Sequence, residues 1–378
     1  MRIAFYAPMK APDHPVPSGD RAMARLLVRA LEQAGGTVTL ASRFRSWQAA
    51  ADAERQTRLA DLGAALARRF LRRCAAEPAL RPEVWVTYHL YYKAPDFIGP
   101  AVASALDIPY LLVEASLADK RAGGPWDRGH QACVTAVETA ARVLQINPED
   151  AECLPAETRQ ELLPPFLDAA PYTAALQQRA ESRARLAKQE GLEPVVPWLV
   201  SVAMMRSGDK LASYRRLAAA LALLTDRAWQ LVIIGDGEAR TEVEAAFRAS
   251  LGAEAERRLR YLGQVPEGAV AEPLAACDLF VWPAVNEAYG MAPLEAQAAG
   301  VPVVAGWRPG LTTLVSPGKT GLLIEDERPE AFAQTIASLL DRRAARDAMS
   351  RAASTGVAER HSLPAAAAQL RQVLAELT

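Results

Sequence analysis

Cysteine is scarce in this sequence: Cys74, Cys133, Cys153 and Cys277 are the only four in 378 residues, and no two form a C-x-x-C pair. That spacing argues against a structural zinc and against a disulfide framework, and it fits a reducing compartment. Excess charge is missing as well. The 43 Lys and Arg face 44 Asp and Glu, a net charge of −1, so the chain offers no global field for nucleic acid or an anionic membrane, and any basic site must be local. Long apolar runs are absent, since nothing approaches the roughly 18 uninterrupted apolar residues of a membrane span. The opening MRIAFYAPMK holds too short an apolar run for a signal h-region, which needs about 7–15 residues, and it is read as a first strand. These absences set the expectation of a cytoplasmic protein whose membrane contact, if it has one, is peripheral at the inner face. No Asp-x-Asp pair stands near a strand end to hold a divalent ion, so no metal is expected.

Hydrophobic residues, in contrast, make up 51% of the chain, enough for a full core, and two domains are the default at this length. Short apolar runs recur between Ala/Leu/Arg-rich segments of helical periodicity: IAFYA, TVTLA, VWVTY, YLLVE and VLQI in the first half, then WLVSVA, QLVIIG, LFVW and VPVVA. Strands separated by helices predict parallel sheets covered on both faces, an α/β fold throughout. The prolines of ELLPPFLDAAPY (161–172) interrupt the helical pattern and place the boundary, giving a first domain at 1–168 and a second at 169–361. A polar helix over 173–190 is expected next. The end, HSLPAAAAQLRQVLAELT, reads as a helix over 362–378 with Ser362 as N-cap and Pro364 near its start.

The stretch NEAYGMAPLEAQAAGVPVVAG (286–306) poses the functional question. Pro293 suits the first position of a helix, which puts Glu295 near the third, where a glutamate caps the helix and complements its dipole for about 0.3–1 kcal/mol. Glu287 is harder to explain by capping, because it lies in the loop 286–290, whose N–H groups, with the helix N-terminus, form an anion site. Carboxylates beside an anion must face something else, and hydroxyl groups are the natural candidates. A phosphate flanked by sugar hydroxyls describes a nucleotide sugar.

With seven residues between its two glutamates, EAYGMAPLEAQAAGVPVVAG resembles the signature of family 4 retaining glycosyltransferases, which have the GT-B fold: two Rossmann-like domains facing across a cleft. YLGQVPEGAVAEPLAACDLFVWPA (261–284), PGKTGLLIEDERPEAFAQTIASLL (317–340) and LPPFLD are similar to further parts of that family. The whole second domain matches and the first matches more loosely. The resemblance implies that Glu287 contacts the transferred sugar, Glu295 the ribose, and Ala288, Tyr289, Gly290 and Met291 the sugar and phosphates. Val265 falls in the segment leading to the nucleobase pocket. Charge on the departing diphosphate is the largest demand of such a transfer, and the family meets it with an arginine and a lysine. Lys210 matches the lysine; Met204 stands at the arginine position, with Arg206 two residues on as a substitute. The resemblance also sets Gly19 on a glycine loop near the diphosphate, with Asp20 replacing a glycine; the alternative is an ordinary turn capped by Ser18 or Asp20.

Only four histidines are present, His14, His89, His130 and His361. The family's donor-sugar histidine is replaced here by Ala115, while His89, at the end of an earlier strand where ligands bind in open α/β sheets, is a site candidate. Glu114 and Ser116 are its expected helpers, and His130 is a weaker candidate. The reading is a hexosyltransferase using a UDP-, GDP- or ADP-sugar with no other cofactor, retaining, with no covalent nucleophile in evidence. The departing phosphate would then help deprotonate the acceptor. The acceptor stays open, tilted toward a lipid or lipid-linked hydroxyl by the helix 58–74. There Leu59, Leu62, Leu66 and Phe70 run beside Arg68, Arg69, Arg72 and Arg73, a pattern that usually describes core packing with a solvated flank, with a peripheral membrane contact as the sharper alternative. Rival readings are a degenerate GT-B protein that only binds, a nucleotide-sugar epimerase of the same fold, and an NAD enzyme. The last rests on VIIGDGEAR (232–240), which lacks the third glycine of G-x-G-x-x-G because Arg240 stands there.

Overall fold

The computed structural model describes residues 1–16, 18–266, 268–287 and 290–377. The chain divides into two compact units, one of residues 1–164 with 363–378 and one of residues 165–362. Each is built on a six-stranded sheet in which every pairing is parallel.

The first sheet contains β1 (Arg2–Tyr6), β2 (Thr37–Leu40), β3 (Val84–Leu90), β4 (Tyr110–Ala115), β5 (Arg142–Gln145) and β6 (Gln160–Leu162), in the order β2-β1-β3-β4-β5-β6. The second contains β7 (Trp198–Val202), β8 (Gln230–Ile234), β9 (Leu259–Gly263), β10 (Leu279–Trp282), β11 (Val303–Gly306) and β12 (Gly321–Ile324), in the order β12-β11-β10-β7-β8-β9. The central strands are apolar on both faces because helices cover both: β4, β8 and β10 are buried at every residue. Strand order reverses direction between β1 and β3 in the first sheet and between β7 and β10 in the second. Crevices at the carboxyl ends of strands flanking such a reversal are where open α/β sheets bind ligands.

Three strands escaped the residue-by-residue reading: β6, β9 and β12. All three lie at sheet edges, where one side has no neighbour to bury it. Their burial is correspondingly partial: QEL and LRYLG mix polar with apolar residues, and GLLI, though apolar, is only four residues long. The polar segment expected as one helix is two, Ala170–Gln177 and Arg179–Glu190. The second of these is held by Arg179 and Arg183, which donate to opposite oxygens of Asp278 at 2.9 Å each.

The terminal helix Leu363–Leu377 packs within the first unit against the helix Gly19–Gln33. There the Arg371 guanidinium donates to the carbonyls of Gln33 (2.9 Å) and Ala34 (3.3 Å), groups the helix end leaves unpaired. Ser362 immediately precedes this helix, and its hydroxyl donates to the Ala358 carbonyl at 2.8 Å. No helix among the described residues is long and apolar enough to cross a membrane.

Candidate functional site

The second sheet's reversal point gathers the strongest site candidates. The loop after β7 leads into the helix Asp209–Ala222, whose second residue is Lys210; the loop after β10 carries Glu287. A cation in the first turn of a helix is disfavoured by the helix dipole. Here Lys210 is offset by an ion pair with the Glu287 carboxylate, 77 residues away. The indole N–H of Trp282 donates to the same carboxylate oxygen at 3.3 Å, and the Lys210 ammonium lies 5.6 Å from the centre of the Trp282 ring. Trp282 is itself buried and stacked edge-on against Tyr214, ring centres 5.0 Å apart.

The Glu287 loop is fastened to the Lys210 helix. Ser213 Oγ accepts from the Val285 N–H at 3.0 Å, and the Asn286 amide donates to Asp209 at 2.9 Å. Ala284 and Asn286 have φ of 55° and 49° and Gly290 has 60°, so two non-glycine residues sit in the left-handed region at a cost of about 1–3 kcal/mol each. Ala288 and Tyr289 lie outside the described residues. Arg206, on the β7 loop, is exposed and has no carboxylate partner among the described residues, while Met204 beside it is 53% exposed. Val265, in the loop after β9, is partly buried against the core.

Glu295 requires a correction. The helix runs Met291–Ala298 with Gly290 as N-cap, so Pro293 is its third residue and Glu295 its fifth, too far in to cap. Its carboxyl is hydrogen-bonded to Tyr172, from the helix Ala170–Gln177 of the same unit. Burial drives its proton affinity up to about 7, against the lowering effect of that hydrogen bond. From the ordinary value of 4.5 up to about 7, the folded chain therefore holds a proton that the unfolded chain has lost, and stability falls as pH rises through that window. Glu295→Gln is expected to flatten this part of the profile and to raise the melting temperature at pH 8; melting curves of both proteins against pH measure it.

VIIGDGEAR has a structural explanation. A Cβ on Gly235 would lie 1.9 Å from the Ala203 carbonyl oxygen, and one on Gly237 would lie 2.3 Å from that of Met205. The glycines let the turn after β8 press on the turn after β7, with the Met205 N–H donating to Asp236 O and the Ala239 N–H to Met205 O, both at 2.9 Å. They support the loop that carries Lys210.

In the first unit, the reversal between β1 and β3 brings together Asp20 and His89. Ser18 caps the helix Gly19–Gln33, accepting from the Arg21 N–H at 3.2 Å, as an ordinary turn would. A Cβ at Gly19 would meet nothing within 4 Å, so contacts within the protein do not require glycine there. Asp20 turns to His89, with Oδ1 2.9 Å from Nδ1. His89 and Glu114 have φ of 63° and 61°. Glu114 accepts from the N–H groups of Ile146 (2.9 Å) and Asn147 (3.3 Å) and is hydrogen-bonded to Asp150. Burial and the neighbouring Asp150 raise its proton affinity, and burial raises that of Asp150 in turn. Ser116 pairs by backbone with Leu90 at 3.0 Å. The Ala115 methyl is buried in the core and its backbone is held on both sides by Gln145, so a longer side chain there would enter the core. Of the other histidines, His361 donates to Pro165 O at 2.8 Å, His14 accepts from Val16 in a loop, and His130 is buried in the helix Asp127–Thr139.

The sequence reading missed Trp282, Tyr172, Asp150 and the role of Asp20. Tyr172, Asp150 and Asp20 act through partners distant in the chain, which leave no local signal; Trp282 lies five residues before Glu287, and its residue type alone did not mark it as a partner.

Residues 202–355 match the family described as glycosyl transferases group 1. A D-inositol 3-phosphate glycosyltransferase of Nocardia farcinica is 31% identical over 186 residues, 48% of this chain and 40% of that protein. One of Corynebacterium glutamicum is 34% identical over 119 residues, 31% of this chain and 28% of that protein. The chain thus spans less than half the length of these curated relatives. Among solved structures, Anabaena HepE in complex with UDP superposes with a TM-score of 0.71 at 16% identity, covering 100% of both chains. Sucrose-phosphate synthase from Thermosynechococcus elongatus gives 0.71 at 20% identity, covering 100% of this chain and 98% of that one. The fold is GT-B.

Proposed function

We propose that this chain is a retaining glycosyltransferase that moves a hexose from a nucleoside-diphosphate sugar to an acceptor hydroxyl. The observation that carries the reading is the meeting of Lys210 and Glu287 at the reversal point of the second sheet, inside the segment that matches group 1. The bond from the anomeric carbon to the diphosphate breaks, the acceptor oxygen bonds to that carbon, and the departing phosphate oxygen takes the acceptor proton. Lys210, with Arg206 and the backbone at Gly290 and Met291, stabilises the growing phosphate charge. Glu287 orients the sugar, Glu295 meets the ribose, and the segment around Val265 borders the base; Gly19 and His89 serve the first unit's side of the reaction. UDP-glucose is the first donor to try, since HepE has been solved with it.

For the acceptor we favour a hydroxyl on a lipid or lipid-linked molecule, reached by peripheral contact with the inner membrane face. Leu66 and Phe70 of the basic helix pack on the core, as a structural stripe does, but Leu62 is 48% exposed. Arg68, Arg69, Arg72 and Arg73 are exposed without carboxylate partners among the described residues. Arg69 and Arg73 border a surface cavity of about 180 Å³ lined also by Leu66, Phe70 and Ile98, a combination that suits an anionic amphiphile.

The test is thermal titration with UDP-glucose, GDP-mannose, ADP-glucose and NADH, alongside sedimentation with phosphatidylglycerol vesicles. One nucleotide sugar should raise the melting temperature, by the equivalent of about 2.7 kcal/mol at a hundred times its Kd. The shift should vanish in the Lys210→Ala, Glu287→Ala double variant. If no nucleotide sugar acts, or the double variant responds equally, the reading fails. Binding without transfer to any acceptor favours the degenerate protein that Met204 hints at. Vesicles that leave the protein in solution remove the membrane part alone.

A further inference from the structure

We infer that Asp20 is a positioning residue that holds the His89 ring so that its Nε2 is presented to a substrate hydroxyl at the carboxyl end of the first sheet. The substrate part rests on the transferase reading; the contact itself does not.

The two residues reach each other from opposite sides of the β1/β3 reversal. Asp20 comes from the helix that follows β1 and His89 from the end of β3, 69 residues later. Ser18 caps that helix, and the Asp20 carboxylate in its first turn reaches out to His89 as well as to its own backbone N–H. Its 2.9 Å contact makes Nδ1 the donor. Nε2 then has no partner among the described residues, and the side chain is 29% exposed. His89 also holds a left-handed φ of 63°, a strained backbone that a purely packed strand end would avoid.

The surroundings select the ligand group. Glu114 and Asp150 approach His89 from β4 and from the turn after β5, Tyr88 and Tyr91 place their rings 5.7 and 5.4 Å away, and Lys10 faces Asp20. With carboxyl groups around the imidazole, a hydroxyl fits both kinds of partner, accepting from Nε2–H and donating to a carboxyl oxygen. Burial pulls the proton affinity of His89 down, but Asp20, Glu114 and Asp150 together outweigh it and the net change is upward. The ring is therefore held as a donor at both nitrogens to higher pH than a free histidine.

Histidine-labelled full-length protein, titrated by NMR, reads this directly. Asp20→Asn should lower the His89 midpoint by about one unit or more, and Asp20→Glu should restore part of it. In UDP-glucose turnover, followed as UDP release, the loss of activity with rising pH should move to lower pH in Asp20→Asn by the same amount. Adding Asp20→Asn to His89→Asn should cost nothing further. An unmoved midpoint, or an equal loss from Asp20→Asn with and without His89, overturns the inference. If the unaltered protein turns over no nucleotide sugar, the transferase reading fails, and the NMR midpoint still decides whether Asp20 governs His89.

Discussion

Replacing Lys210 with alanine is expected to cut the turnover number by about 10²–10³, the usual cost of removing one group aimed at charge that develops in the transition state. The loss should fall mainly on kcat rather than KM, because the diphosphate gains its extra charge only as the glycosidic bond breaks. The ligand-free structure sharpens this expectation. Lys210 is paired with Glu287, and Trp282 supplies a second hydrogen bond to the same oxygen. To clamp a diphosphate the ammonium must change partners, leaving Glu287 on the Trp282 N–H and free to turn to a sugar hydroxyl. Lys210→Ala also leaves a half-buried carboxylate without its cation, so its melting temperature should be compared with that of the Lys210→Ala, Glu287→Gln pair. If the single variant loses only stability, which the pair restores, while kcat stays within a factor of a few, Lys210 is not part of the reaction.

Gly235→Ala should lower stability by roughly 2–6 kcal/mol. The backbone there has φ of 139°, where a side chain adds about 1–3 kcal/mol of strain. The new Cβ would lie 1.9 Å from the Ala203 carbonyl oxygen, an overlap with main chain that a repacked core answers at about 1–3 kcal/mol. For a unit of this size the melting temperature should fall by about 5–20 °C. Because Ala203 opens the loop leading to Lys210, turnover measured well below the transition should fall too. By contrast, alanine at Gly252, whose Cβ would meet nothing within 4 Å, carries only the strain of its own left-handed φ of 56°. Equal melting temperatures for the two variants would show that the turns after β7 and β8 do not press together as described. A dinucleotide-binding role would then return to consideration for VIIGDGEAR.

The buried strands were legible because their signal is local and strong. IAFYA, VWVTY, QLVIIG and LFVW are apolar at most positions, as strands covered on both faces are. Edge strands are less buried: QEL is mostly polar, and GLLI is a run of only four residues beside a glycine-rich turn. At the site, Lys210 and Glu287 were legible through the resemblance, but the capping explanation for Glu295 was not sustained. Pro293 suits a helix start by residue type, whereas the left-handed Gly290 caps the helix two residues earlier than that expectation, and a backbone angle of that kind leaves little trace in a pattern of residue types.

By itself, then, the sequence determined the alternation of strand and helix, the α/β class and the motif carrying Glu287 and Glu295, because each depends on residues close together in the chain. Only the tertiary structure decided which distant residues meet: Lys210 with Glu287 and Trp282, Glu295 with Tyr172, Asp20 with His89. Those meetings depend on strand order. The reversals between β7 and β10 and between β1 and β3 bring loops from separate parts of the chain to one sheet end, and hydrophobic periodicity does not say which strand lies beside which.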